Sequence, residues 1–234
     1  EAAKAGADLV VFSELVVSGY PPEDLVYRPA FLQAVEGAVY ELAGLTTDGG
    51  PGLLVGAPWR DNGKTGKKAN GKAEVYNAGL LLDGGKIAGV RFKHNLPNYG
   101  VFDEYRVFTA EDMWFEDVAE TLAESGAELL VVLNGSPFEL DKLDVRLNHA
   151  VARVSETKLP LIYVNQIGGQ DDLVFDGGSF VLNANRALAV QMPSWRTELT
   201  LTDWQKTDGD WVCSAGDLHA PRDRHENIYK AMML

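Results

Sequence analysis

Polar residues stand directly after four apolar, strand-like runs. Ser13 and Glu14 follow "DLVVF", and Lys93 follows "GVRF". Asn134 and Ser136 follow "LLVVL", and Asn165 and Gln166 follow "LIYV". Ligands of open α/β sheets gather at the carboxyl ends of strands. A carboxylate and a lysine that end two different strands can meet over one pocket, where proton transfer and stabilisation of negative charge would be the chemistry open to them. The same residues also fit strand ends that face water, and the pattern alone leaves both readings open.

Other candidate groups are weaker. Cys213, His219 and His225 have CX₅HX₅H spacing, whereas a zinc site wants a fourth ligand and tighter pairs; a polar linker is the simpler reading, and no metal is expected. His94 follows Lys93 and is read as pocket wall, and His149 as a structural histidine among apolar helix neighbours. The glycine pairs 168–169 and 177–178 lack the strand-to-helix setting of a dinucleotide fingerprint and read as turns. The lysine-rich stretch "RDNGKTGKKANGKAE" (60–74) has no interleaved aromatics, so a solvated loop fits better than a nucleic-acid surface.

The elements that must position these residues follow from periodicity. "GADLVVF" (6–12) and "PGLLVGAPW" (51–59) read as buried strands. "VYNAGLLLDGGKIAGVRF" (75–92) reads as two strands around a "DGG" turn, and "GGSFVLNANRALAVQM" (177–192) as a hairpin turning at "NAN". Residues 115–134 give a helix, a stop at Gly126 and a strand. Residues 140–165 repeat that plan, with Leu143, Leu147, Ala150, Val151 and Val154 as the apolar stripe and Pro160 before the next strand. Helices alternating with apolar strands and hairpins imply an α/β fold, a mixed sheet with helices on its outer faces.

The chain has 234 residues, 46% of them hydrophobic, enough for a substantial core. Its net charge of −13 argues against a phosphate-binding surface. No apolar run is long enough to span a bilayer, and the single cysteine fits a reducing, cytoplasmic setting. Both ends fall inside helix-like stretches and are read as cut ends of a longer chain. No "SGGxDS"-type pyrophosphate loop is present, so ATP-dependent ligase chemistry is not expected within these residues.

"DLVVFSELVVSGYPPEDL", "KHNLPNYGVFDEYRVF", "AEDMWFEDVAETLAESGAELLVVLNGSPF" and "VNQIGGQDDLVFDGGSFVLN" together resemble the nitrilase-like carbon–nitrogen hydrolases, and most closely the glutaminase domains of glutamine-dependent NAD⁺ synthetases. The resemblance covers nearly the whole chain. It implies a four-layer αββα sandwich with a Glu–Lys–Cys triad. Glu14 in "FSEL" matches the general base, Lys93 in "FKHNLPN" the lysine that stabilises the oxyanion, and Glu104 in "VFDE" a second carboxylate beside that lysine. Tyr99 in "PNYG", with Ser136 and Lys142 in "SPFELDK", matches positions that hold glutamine. The implied domain spans 1–202, with 203–234 a polar linker and helix leading to a synthetase domain outside these residues. That domain, not this one, would use ATP, Mg²⁺ and deamido-NAD⁺. L-glutamine and a homo-oligomeric partner are implied; nucleic acid and membrane are not.

Two departures lie in "VFTAEDMW" (107–114). The family nucleophile is the Cys of a "CEDMW"-type motif, and Ala110 occupies that position. The family also has a loop and a strand between "RVF" and this motif, whereas "EYRVF" here runs almost directly into "TAEDMW". Loss of a central strand would strip its neighbours of ladder partners, so residues are expected to be missing near 108–109. The chain should then bind glutamine without hydrolysing it. A free-standing amidase of the same superfamily and a catalytically dead assembly domain are the rival readings.

Overall fold

The computed structural model describes residues 1–60, 74–98, 102–110 and 118–234. They form two compact units, Glu1–Trp114 and Phe115–Leu234.

The first unit is a four-stranded sheet in the order β1-β2-β3-β4. Its strands are β1 (Leu9–Val11), β2 (Gly52–Trp59), β3 (Tyr76–Asp83) and β4 (Lys86–Phe92), and helix α1 (Pro29–Gly44) packs on it. β1 runs parallel to β2, and the remaining pairs are antiparallel. The core follows from two periods. Every second residue of β2 (Val55, Ala57, Trp59) and β3 (Ala78, Leu80, Leu82) meets every fourth residue of α1 (Val35, Val39, Ala43). The "DGG" turn forms as expected: Asp83 pairs with Lys86 across Gly84 and Gly85, whose φ values are 56° and 79°. β1 departs from its buried reading, because it lies at the sheet edge and Leu9 is exposed. A short helix, α2 (Glu104–Val107), completes the described part of this unit.

The second unit begins with α3 (Val118–Glu124), β5 (Leu130–Asn134), α4 (Lys142–Thr157) and β6 (Leu161–Asn165). The small ribbon β7 (Ile167–Gln170)–β8 (Leu173–Asp176) follows, then β9 (Phe180–Leu182) and β10 (Leu188–Gln191). Its main sheet has the order β10-β9-β6-β5. Ala150 and Val154 of α4 are buried on Leu161 and Tyr163 of β6 and on Phe180 and Leu182 of β9, with Leu147 and Val151 of the same stripe alongside. Tyr163 stacks on Phe180 at 4.7 Å. Gly177 and Gly178 adopt left-handed φ values of 72° and 67° in the link from β8 to β9, where Gly177 forms an isolated bridge with Ser194. Gly168 and Gly169 instead lie within β7. His149 is solvent-exposed rather than buried.

The stretch after residue 203 is more ordered than its polarity suggests. It forms the hairpin β11 (Trp204–Thr207)–β12 (Asp210–Cys213) before the last helix, α5 (Arg224–Met233). The Asn183 side chain accepts from the Cys213 N–H and donates to its carbonyl, fixing the hairpin to the β9–β10 turn. Cys213 is buried while His219 and His225 are exposed, and the described residues contain no group of three or more His, Cys, Asp or Glu side chains able to hold a metal ion. No described helix is long and apolar enough to cross a membrane.

Candidate active site

Glu14 follows β1, where the chain crosses the face of β2. The crossing is so close that a Cβ on Gly56 would lie 2.3 Å from the Leu15 nitrogen and 3.0 Å from the Glu14 carbonyl carbon. Glycine is required there by contact, since backbone rather than a flexible side chain lies in the way. Leu15 is fully buried with φ of 47°, an unusual value for a non-glycine residue. The Glu14 carboxylate is thereby held against the sheet.

Lys93 leaves β4 with its N–H bonded to the Asn77 carbonyl at 2.8 Å. Its ammonium donates to Glu14 Oε1 at 2.7 Å and to Glu104 Oε1 at 3.0 Å. Glu104 opens α2 and is fixed through its N–H, which donates to the Pro97 carbonyl. Two residues not singled out from the sequence complete the cluster. Asn77 Nδ2 donates to Glu14 Oε1 at 2.6 Å, and the Tyr20 hydroxyl donates to Glu104 Oε1 at 2.7 Å. A signal for Asn77 exists in hindsight, as an amide inside the apolar run "VYNAGLLL" must find a partner. Tyr20 lies within "SGYPPEDL" but its role could not be read from residue type.

Glu14 and Glu104 are 5% and 4% exposed, whereas the Lys93 side chain is 29% exposed. The cluster is therefore open at the ammonium. Glu104 Oε2 is buried without a hydrogen-bond partner among the described residues. Burial works against the Lys93 charge, but the Glu14 and Glu104 carboxylates outweigh it and hold the ammonium pKa above its usual value. Burial first, and then the Glu14 charge, push the Glu104 carboxyl above the usual range, against the pull of Lys93 and the Tyr20 hydrogen bond. Burial, followed by the two nearby carboxylates, raises the Tyr20 phenol, which stays a donor. The arrangement offers a buried carboxylate as proton acceptor and a fixed cation as oxyanion partner.

The remaining sequence candidates fall elsewhere. Ala110 is half-buried in the first unit, just after Thr109, whose N–H donates to the Val75 carbonyl at 2.7 Å. Tyr99 lies outside the described residues. Ser136 and Lys142 belong to the second unit. Lys142, the first residue of α4, pairs with Glu139. Ser136 is held by a cluster the sequence did not reveal: Arg146 Nε donates to Ser136 Oγ at 3.0 Å and Arg146 Nη1 to Asp176 Oδ1 at 2.8 Å. Arg146 looked like an ordinary helix-surface charge, although its position one turn after Leu143 and one before Ala150 puts it on the buried stripe.

The chain was compared with known proteins. The sequence matches the carbon–nitrogen hydrolase family over residues 1–209. It is 41% identical over 249 residues to a glutamine-dependent NAD⁺ synthetase of Rhodobacter capsulatus, covering 98% of this chain and 43% of that protein. A counterpart from Aquifex aeolicus is 34% identical over 215 residues, covering 83% of this chain and 36% of the relative. The chain thus spans less than half the length of these curated relatives. The solved structure of a glutamine-dependent NAD⁺ synthetase from Acinetobacter baumannii, in complex with ADP, superposes with a TM-score of 0.84 at 30% identity, over 99% of this chain and 45% of that one. An amidase of the nitrilase superfamily from Nesterenkonia shares the fold at 22% identity, with a TM-score of 0.66 over 82% of this chain and 76% of its own. The expected α/β class is thus the one these structures share, and the chain belongs to the carbon–nitrogen hydrolase family.

Proposed function

We propose that this chain is the glutamine-hydrolysing part of a glutamine-dependent NAD⁺ synthetase. The observation that carries the reading is one ammonium, Lys93 Nζ, shared by the buried carboxylates Glu14 and Glu104. In the complete reaction a thiol attacks the side-chain amide carbon of glutamine while Glu14 takes the thiol proton. The C=O electrons move onto oxygen, and Lys93 stabilises the oxyanion. As that intermediate collapses the C–N bond breaks, the proton held by Glu14 passes to the nitrogen, and ammonia leaves a thioester. Water attacks the thioester with Glu14 again accepting a proton, and glutamate departs as the thiol is regenerated. Tyr99, Ser136 and Lys142 would hold the rest of the substrate. The ammonia would serve a synthetase domain that uses ATP, Mg²⁺ and deamido-NAD⁺ beyond these residues, in a cytoplasmic homo-oligomer.

The chain of 234 residues lacks the attacking thiol at Ala110, so it binds glutamine without turning it over. Three observations support a missing segment next to Ala110. The Rhodobacter capsulatus alignment, over 249 residues, is longer than this chain. Thr109 is tied to Val75, so residues 108–110 continue the first unit. And β5, apolar throughout except for its last residue, pairs only with β6 among the described residues, leaving an open edge where a further strand would fit. One gap ending just before Glu111 would remove both the strand and the cysteine, so no separate Cys-to-Ala exchange is needed.

The test is ammonia release from L-glutamine by protein of verified intact mass. Protein matching the 234 residues is expected to release none, and protein carrying the additional segment to release ammonia. Ammonia from the verified 234-residue chain would overturn the reading.

A further inference from the structure

The stretches "SGYPPEDL" and "FDEYRVF" meet twice within the first unit. The inner meeting belongs to the site, where the buried Tyr20 hydroxyl donates to Glu104 Oε1 at 2.7 Å. The outer meeting lies at the surface. Arg106, two residues after Glu104, donates through Nη2 to Glu23 Oε2 at 2.8 Å. Its Nη1 also bonds Asp24, and its Nε bonds Asp103. The Tyr27 hydroxyl donates to the Arg106 carbonyl. Glu23, Asp24 and Tyr27 all belong to one 3₁₀ segment, Glu23–Tyr27. One planar guanidinium therefore joins that segment to α2 through three carboxylates, a geometry that lysine cannot reproduce.

α2 cannot hold Glu104 unaided. It is a single turn of four residues, too short to be stable by itself. Glu104 shares the Lys93 ammonium with Glu14, and two carboxylates on one cation repel each other. That repulsion pushes Glu104, and α2 with it, away from the cluster. The partner segment is also held in an uncommon shape, since Glu23 has a left-handed φ of 47°. Exposed ion pairs contribute little one by one, but here several converge on one side chain. They join the segment that carries Glu104 to the one that follows Tyr20.

We propose that Arg106 is a positioning residue: bonded to Glu23, Asp24 and Asp103, it clamps α2 to the Glu23–Tyr27 segment and so holds Glu104 on Lys93 in the geometry that binds the amide substrate. The proposal rests on the glutamine reading given above. It gives the exposed charges of these two stretches a role in the site without any contact to substrate.

Two measurements on the unmodified chain test it, both by calorimetry with L-glutamine and with folding checked by thermal melting. The first is a double-mutant cycle. Arg106→Met is expected to weaken binding about 3–10-fold, the range open to a network of exposed pairs. In Glu104→Ala, which leaves no carboxylate to position, the same substitution should cost less than about twofold. The second measurement needs no change at Glu104. Raising NaCl from about 0.05 to about 0.5 M screens the exposed clamp. The unmodified chain should then approach the affinity of Arg106→Met, whose own affinity changes by less than about twofold. Should Arg106→Met fail to fold, Glu23→Gln combined with Asp24→Asn cuts the clamp from its other side and is read in its place. Equal losses in both backgrounds, equal salt responses, or no loss in a folded variant overturn the role of Arg106 and leave the glutamine reading intact. An unmodified chain that does not bind L-glutamine overturns both.

Discussion

Each compact unit buries a charged cluster, and the two are balanced in opposite ways. In the first, one ammonium serves two carboxylates, so negative charge is in excess and one oxygen, Glu104 Oε2, has no hydrogen-bond partner among the described residues. In the second, one guanidinium meets one carboxylate and spends its remaining bonds on neutral oxygens of Ser136 and Pro137. Buried polar groups are ordinarily satisfied, so the two clusters differ in how completely their polar atoms are paired among the described residues. The second cluster is therefore a fixed support, while the first leaves the Lys93 side chain 29% exposed.

That contrast predicts opposite responses to mutation. Arg146→Met takes the partner from the Asp176 charge and a donor from the Pro137 carbonyl, and should destabilise the protein by about 3–5 kcal/mol in chemical denaturation. A loss under about 1 kcal/mol would show that the support is not one. Asn77→Ala removes a donor to a buried carboxylate and should cost about 1.5–3 kcal/mol. It should also weaken L-glutamine binding, since Glu14 loses a donor to its Oε1.

Glu104→Gln should do least to stability, about 1 kcal/mol or less at neutral pH, because glutamine still accepts from Lys93 and Tyr20. Its signature is in the pH profile. A carboxyl whose folded pKa is raised above its unfolded value contributes stability that is present below the unfolded pKa and is lost as pH rises through the folded one. Burial and then Glu14 raise Glu104. The wild type should lose that increment as pH rises through and just above the ordinary carboxylate range, and Glu104→Gln should not. Identical profiles for the two proteins would contradict the excess-charge description of this cluster.

Legibility from sequence follows the same division. Glu14 and Lys93 were visible because each follows an apolar strand, and the long motifs around them made Glu104 visible too. The hairpins at Gly84–Gly85 and at 183–187 were visible because their turns demand particular residues. Arg146, Asp176, Tyr20 and Asn77 were not. Each acts through a partner distant in sequence, such as Tyr20 with Glu104 or Arg146 with Asp176, and residue type alone does not name a partner. The hairpin at 204–213 was hidden by its polarity: both strands carry mostly exposed side chains, and only Cys213 is fully buried. The edge position of β1 was hidden because "DLVVF" reads equally well as a central strand.

The most direct test of the central claim is a calorimetric titration of the unmodified chain and of Lys93→Met with L-glutamine. If the shared ammonium is the open end of an amide-binding site, the unmodified chain binds saturably with one equivalent, and Lys93→Met, still folded, loses at least tenfold in affinity, in line with hydrogen bonds to charged groups. Undiminished binding by Lys93→Met, or no binding by the unmodified chain, would contradict it.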